Sequence, residues 1–319
     1  MRLLVPYLFP ASELWQSATP DLRLPGLQKL LARGWLDKRE PEGLEGALCA
    51  ALGIARQSDW PVAPLTLEAD GGQPGADYWL RADPVHLAVM RDRVVVAGTP
   101  TISEHEARAF AQAIRDHFGD DFAPDPRAPT RWYLRLKTVP DLATVPPSLA
   151  LGHDAARCAA RGRDRTPWHA RLTELQMLLH AHPLNAAREV RGVPTVNSLW
   201  LWGGGVRPKI SATRLSVALA GFDLEALASA AGARRVASHP STRADLVVLD
   251  SLTDAGRSGD VYGWRDALRQ LEIAWLAPLA ARRRAFTLED PVHGRTLTLN
   301  AAAPWKFWVR GKPLGHTRL

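Results

Sequence analysis

"ADLVVLDSLTDAGRSGDVYGWRDALRQLEIAWLAPL", residues 244–279, is the stretch that decides the fold. Leu246, Val247, Val248 and Leu249 are consecutive aliphatics with no polar residue between them. A strand with one wet face alternates, whereas an unbroken apolar run fits a parallel strand covered on both faces. A polar turn, "TDAGRSGD", follows. Asp260 then stands where a helix N-cap belongs, ahead of Trp264, Leu268, Leu271 and Trp275 on one helical side. Strand, short loop and helix are the repeating parts of an α/β sheet. The same alternation begins earlier: Asp223 is placed to cap "LEALASAA", and Gly232 to close it. At the other end of the chain, Leu3 to Leu8 reads as a first strand, with short helices running on to "ALCAALGI".

The middle of the chain has a different pattern. "YWLRADPVHLAVM" turns through Arg91, Asp92 and Arg93 into "VVVAG", a strand pair. "SEHEARAFAQAIRDHFG" carries a capping box in Ser103 and Glu106, an apolar face of Phe110, Ile114 and Phe118, and Gly119 at its end. "RWYLRLK" alternates as a strand does. Thr166 and Pro167 open a second helix over "WHARLTELQMLLHAH", stopped by Pro183. "AFTLEDPVHGRTLTLN" reads as a hairpin and "WKFWVRG" as a last strand. The expected architecture is an α/β core in two parts, residues 1–58 and 191–319, interrupted by an inserted α+β domain and connecting helix over 59–190.

Composition narrows the class. The 319 residues are 46% hydrophobic and 23% charged, as in soluble globular chains. No apolar run is long enough to span a bilayer, and the amino-terminal segment lacks a small-residue cleavage site. Cys49 and Cys158 share no motif. A cytoplasmic protein without disulfides is expected. The net charge is +7, and only Lys29, Lys38, Lys137, Lys209, Lys306 and Lys312 are lysines, the other cations being arginines. Arginine grips carboxylate and phosphate with two prongs, so a small anionic ligand is in view. The cations are scattered singly apart from Arg282, Arg283 and Arg284 after a helix, which gives no footprint for nucleic acid.

Several stretches together resemble the archaeal-type cofactor-independent phosphoglycerate mutases of the alkaline phosphatase superfamily. "HAHPLNAAREVRGVPTVNSLWLWGGGVRP" follows the order of that family's entry to its second core half. "ALGI" with "DYWLRADPVHL" is similar to the entry to its inserted domain, and residues 244–279 are similar to its strand, metal loop and helix. "ADPVHL", "ELQMLLHAHP" and "NSLWLWGGG" resemble the RpfE-type bacterial regulatory proteins almost letter for letter. The resemblance implies an alkaline-phosphatase-like core with a smaller insertion. It also implies a loop reading Asp-x-x-Gly-His-x-Gly-Asp whose first Asp and His bind metal. In "TDAGRSGD" those two positions are Thr253 and Arg257, and a guanidinium has no lone pair for a cation. The first strand offers no Asp, Ser12 is a nominal nucleophile at most, and Asp290 and His293 have the wrong spacing for the late metal pair. Two-metal phosphoryl transfer needs those ions. The expectation is therefore a degenerate relative with no catalytic residues and no cofactor, in a regulatory or ligand-sensing role. The alternative is an active phosphomutase or phosphatase using manganese or zinc in a rearranged site.

Candidate ligand-binding residues follow. Trp200 and Trp202 share a strand face with Asn197 nearby, and Gly203, Gly204 and Gly205 allow close backbone approach. This group reads equally as a ligand wall or as core packing with a turn. Arg81, Asp83 and His86 alternate along an extended segment, as an anion pocket or as a buried ion pair. Asn185 and Arg188 enter through the resemblance, and Arg257 through the altered loop. Asp250, Thr253, Asp254 and Asp260 make up the vestigial metal loop, although strand end, turn and helix cap account for the three acids locally. His180 and His182, two apart on a helix, face different ways. Arg131 and Arg135 read as the solvent face of a strand. Trp305 and Trp308 are candidates for a protein partner.

Overall fold

The computed structural model describes residues 1–282, 284–300 and 313–316, the side chain of Ser12 excepted. The last strand expected over 305–311, with Trp305 and Trp308, lies outside the described residues, as do Arg283 and the Ser12 hydroxyl. Among the described residues the chain opens with β1 (Arg2–Leu4), α1 (Ser12–Ala18), α2 (Pro25–Arg33), β2 (Trp35–Lys38) and α3 (Gly43–Ala51). Then come α4 (Val62–Ala69), β3 (Tyr78–Val89), β4 (Val94–Gly98), α5 (Glu104–Phe118), β5 (Asp125–Ala128) and β6 (Arg131–Leu136). They are followed by α6 (Pro147–Ala150), α7 (Arg165–His180), α8 (Pro183–Val190) and β7 (Ser198–Val206). The chain continues through β8 (Ser216–Ala218), α9 (Phe222–Ala230), β9 (Arg234–Arg235), β10 (Leu246–Val248) and α10 (Thr253–Ser258). It proceeds through α11 (Val261–Leu271), α12 (Ala277–Ala280), β11 (Phe286–Asp290) and β12 (Arg295–Leu299). No helix of the described residues is long and apolar enough to cross a membrane.

Two units result, Met1–Leu52 with Ala212–Leu319, and Gly53–Ser211. The core unit holds a sheet in the order β2-β12-β11-β1-β10-β8-β9. β1 lies parallel between β10 and β11, with Leu3 opposite Val247 and Leu288. Leu246, Val247 and Val248 are all buried, so the aliphatic run is covered on both faces as its composition requires. β12 and β2 extend the sheet antiparallel. Helix α9 starts at Phe222 behind Gly221 with no side-chain cap, so Asp223 sits inside its first turn instead of capping it. Asp260 does cap α11, its Oδ1 accepting from Gly263 N at 2.9 Å.

The inserted unit is built on β3. Its first half pairs antiparallel with β6 and β7, its second half with β4. Tyr78, Leu80, Leu134, Leu199 and Leu201 meet Phe110 and Ile114 of α5 and Leu175 and Leu179 of α7 in one apolar cluster. Ala63 and Leu67 of α4 pack with Trp79 and Tyr133 in another. The capping box of Ser103 and Glu106 is complete. The boundaries fall at 53 and 211, where the sequence pattern put them at 59 and 190. β7 is the reason for the later end: its register with β3 runs from Val85 opposite Ser198 to Tyr78 opposite Val206. Such pairing between distant segments leaves no trace in local periodicity.

Candidate functional site at the ends of the core strands

β1, β10 and β11 run in one direction, so the loops after them leave the sheet at one edge. Ligands of open α/β sheets sit outside such carboxyl ends. Asp290, the last residue of β11, is 1% exposed. Its Oδ1 accepts from the backbone N–H groups of Tyr7 (3.1 Å), Val292 (3.1 Å) and His293 (3.2 Å). Its Oδ2 accepts from Phe9 N (2.9 Å) and lies 3.0 Å from His293 Nδ1. One carboxylate thus gathers the loop after β1 and the turn of the β11–β12 hairpin. Arg295 secures the same loop by donating to the carbonyls of Phe9 (2.7 Å) and Pro10 (2.8 Å).

The expected strand from Leu3 to Leu8 stops at Leu4 for this reason. Tyr7 adopts φ 61°, a left-handed conformation that a bulky residue takes at a cost of about 1–3 kcal/mol unless its surroundings fix it. They do: Asp290 takes its N–H, and Trp264 Nε1 donates to its carbonyl at 2.9 Å. Its ring stands edge-on to His293, with centroids 5.1 Å apart. It also lies so close to Gly256 that a Cβ there would stand 2.6 Å from Tyr7 Cβ. Burial pushes the Tyr7 phenol up to about 12, with Arg257 opposing and Asp290 adding to the rise. The phenol is accordingly a neutral hydrogen-bond donor. Its Oη and the Thr253 Oγ1 are both buried and have no hydrogen-bond partner.

The "TDAGRSGD" segment holds a short helix, α10, not an open turn. Thr253 begins it, and Arg257, on its last turn, pairs with the exposed Asp254 at 2.7 Å. Asp250 lends its carbonyl to Thr253 N at 2.9 Å. With Asp260 capping α11, the three acids serve separate local roles. Among the described residues, no three His, Cys, Asp or Glu side chains converge as a metal site requires.

The other sequence candidates all fall in the inserted unit. Arg81 is 2% exposed and grips Asp83 with Nε to Oδ1 (3.0 Å) and a terminal nitrogen to Oδ2 (2.9 Å). Its guanidinium lies 5.0 Å from the Trp202 ring centroid and 5.3 Å from that of Tyr133. Asp83 also accepts from Trp202 Nε1 (2.8 Å) and Trp132 N (3.2 Å). His86 Nδ1 meets the Thr195 carbonyl at 3.0 Å. Asn197 prolongs the strand pairing with its side chain, accepting from Leu87 N and donating to Leu87 O. Asn185 binds the carbonyls of Leu179 and Val196 and the N–H of Val196. Arg188 reaches Pro194 O, Thr101 O and Glu106 Oε1, each within 2.9 Å.

The glycine run closes the wall instead of opening it. Gly203, at φ +67°, supplies the extra residue of a β-bulge against β3. A Cβ on Gly204 would come within 2.7 Å of Leu80, and one on Gly205 within 3.0 Å of the Pro61 backbone. Gly203 N donates to Thr144 Oγ1, which in turn donates to the buried Asp59. Trp200, half-buried, faces a cavity. His182 caps α8 by accepting from Leu184 N at 3.2 Å, and its ring packs on Phe110. Arg131 is not a solvent-face residue: it pairs with the largely buried Asp70 at 2.7 Å. The Tyr7–Asp290–His293 cluster had no signal in the sequence beyond the acid and imidazole in the hairpin, because a left-handed tyrosine obeys no residue preference.

No family model matches the chain. A probable 2,3-bisphosphoglycerate-independent phosphoglycerate mutase of Geobacter sulfurreducens is 26% identical over 170 residues, covering 52% of this chain and 43% of that protein. The similarity to that mutase is low and is confined to about half of this chain. The match thus spans less than half of its curated relative. The PH0037 protein of Pyrococcus horikoshii shares the fold, with a TM-score of 0.50 at 14% identity over 98% of this chain and 91% of that one. A cofactor-independent phosphoglycerate mutase of Thermoplasma acidophilum gives 0.42 at 17% identity, covering 94% and 88%. The fold class expected from the sequence, an α/β core interrupted by an inserted α+β domain, is the one observed, but the inserted unit is as large as the core and not smaller.

Proposed function

We propose that this chain is a catalytically degenerate, phosphoglycerate-mutase-like protein of the RpfE regulatory type, sensing a small anionic or phosphorylated ligand in a bacterial cytoplasm. The observation that carries the reading is the Asp290 carboxylate, whose two oxygens already serve four backbone N–H groups and an imidazole. The divalent metals that the resemblance implies do not fit the residues present. Threonine and arginine hold two ligand positions of the loop, and arginine brings a positive charge in place of a lone pair. What these residues suit is an anion. Arg257 supplies charge, its partner Asp254 is exposed and displaceable, and the neutral hydroxyls of Tyr7 and Thr253 are donors without acceptors. Exposed ion pairs of that kind hold by about 1 kcal/mol or less, so a phosphate can compete for the guanidinium.

The test uses the purified full chain. Phosphoglycerate binding is measured by calorimetry, with Arg257→Ala expected to weaken it at least tenfold. Mutase and phosphatase turnover are assayed with manganese or zinc added, and neither is expected above background. Metal-dependent turnover lost in Asp254→Ala, with metal found by elemental analysis, would refute this reading in favour of an active enzyme with a rearranged site.

A further inference from the structure

A pocket of about 190 Å³, open to solvent on one side, lies in the inserted unit between α7, β7 and the segment around Cys158. Protein interiors pack with few voids larger than a water molecule, and an apolar cavity of about 150 Å³ suffices to bind benzene. Leu142, Leu172, Trp168 and Trp200 dominate its walls. None of the lining side chains is Lys, Arg, Asp or Glu. Burial, reinforced by Asp154, pushes the Cys158 thiol up and keeps it uncharged. The walls hold no counter-charge for an ionised group placed against them, so a neutral guest suits them best.

The polar lining atoms are mostly spoken for. Trp200 Nε1 donates to the Val145 carbonyl at 2.9 Å, and Gln176 Nε2 to Ser198 Oγ at 3.3 Å. Of the buried side-chain nitrogens and oxygens of the lining residues, Nε2 of His169 alone has no hydrogen-bond partner. A buried polar atom left unpaired costs on the order of 1–3 kcal/mol, which a guest's polar group recovers.

We propose that this cavity binds a small uncharged aromatic molecule of one or two rings, its single polar group meeting His169 Nε2. The walls supply two indole rings, whose faces and edges favour a flat aromatic guest over an aliphatic one. Every lining residue belongs to Gly53–Ser211, so the proposal stands apart from the anion site of the core.

Calorimetry and tryptophan fluorescence on the full chain test it, with indole as a donor probe and benzofuran as an acceptor probe. Saturable one-to-one binding is expected, with one probe at least fivefold tighter than the other according to which proton state Nε2 holds. His169→Phe should bring the two within twofold. Indole-3-carboxylate should bind at least tenfold more weakly than indole. Leu172→Trp fills the space and should abolish binding. Ala159→Leu does the same from another wall if the first variant fails to fold. Absence of saturable binding by both probes, binding that survives a folded cavity-filling variant, or carboxylate binding as tight as indole would each overturn the proposal.

Discussion

Replacing Asp83 with alanine separates a binding role from a bracing role for the Arg81 pair. In the folded protein Asp83 answers four donors: two guanidinium nitrogens, the Trp202 indole and the Trp132 amide. Arg81 is 2% exposed, so its charge has no water to turn to when the carboxylate goes. Removing one partner of a buried ion pair costs about 3–5 kcal/mol, because the other charge stays behind uncompensated. For a unit of this size, that amounts to a fall of roughly 10 °C in melting temperature. Replacing both residues, Arg81→Met with Asp83→Leu, should cost less than the two single changes summed, since no orphaned charge remains. The assay is thermal and urea unfolding of the wild type, both single variants and the double. The bracing account fails if Asp83→Ala lowers stability by less than about 1 kcal/mol, or if the double variant is additive. A ligand-binding arginine would show the reverse, spared stability and lost affinity.

Acid should act on Glu106. Burial opposes its charge, but the Ser103 amide and the Arg188 and Arg191 guanidiniums outweigh this and hold the carboxyl at about 2. Its contribution is therefore complete above the unfolded value near 4.5 and lost as pH falls toward 2. Glu106→Gln should remove that part of the acid unfolding profile. Alkali should act on Tyr7: its phenol, at about 12, keeps a proton that the unfolded chain releases near 10, so stability falls as pH climbs between those values. Tyr7→Phe should flatten that fall and delete a late tyrosinate step from the absorbance titration. Gly204→Ala forces a methyl against Leu80 and Tyr78 and should destabilise by about 1–3 kcal/mol in a denaturant melt.

Much of the fold was legible because composition and geometry agree locally. The aliphatic run of β10 reads as a doubly covered strand, the Ser103–Glu106 box marks the start of α5, and Arg91 to Arg93 mark the turn between β3 and β4. β2, β5, β8 and β9 are two to four residues long and carry no periodicity to detect. The site was legible in identities and opaque in roles. Arg81, Asp83, Asn185 and Arg188 stand out as polar residues in apolar surroundings, but whether such a residue meets a ligand or another part of its own chain depends on long-range pairing. Partners of these residues here, Trp202 and Thr101, lie far away in sequence. The strained Tyr7 was invisible for the same reason: Asp290, which enforces it, comes at the opposite end of the chain.

The central position of β1 has a consequence for biosynthesis. Arg2 to Leu4 leave the ribosome more than 240 residues ahead of their neighbours in the sheet, 246–248 and 287–289. At about 5–20 residues per second, the opening segment waits on the order of ten seconds or more without the strands that cover it. Gly53–Ser211 is contiguous and needs nothing later to complete its own sheets. The nascent chain therefore carries a finished Gly53–Ser211 unit while the apolar β1 segment is still uncovered, and that segment is where a chaperone would be needed.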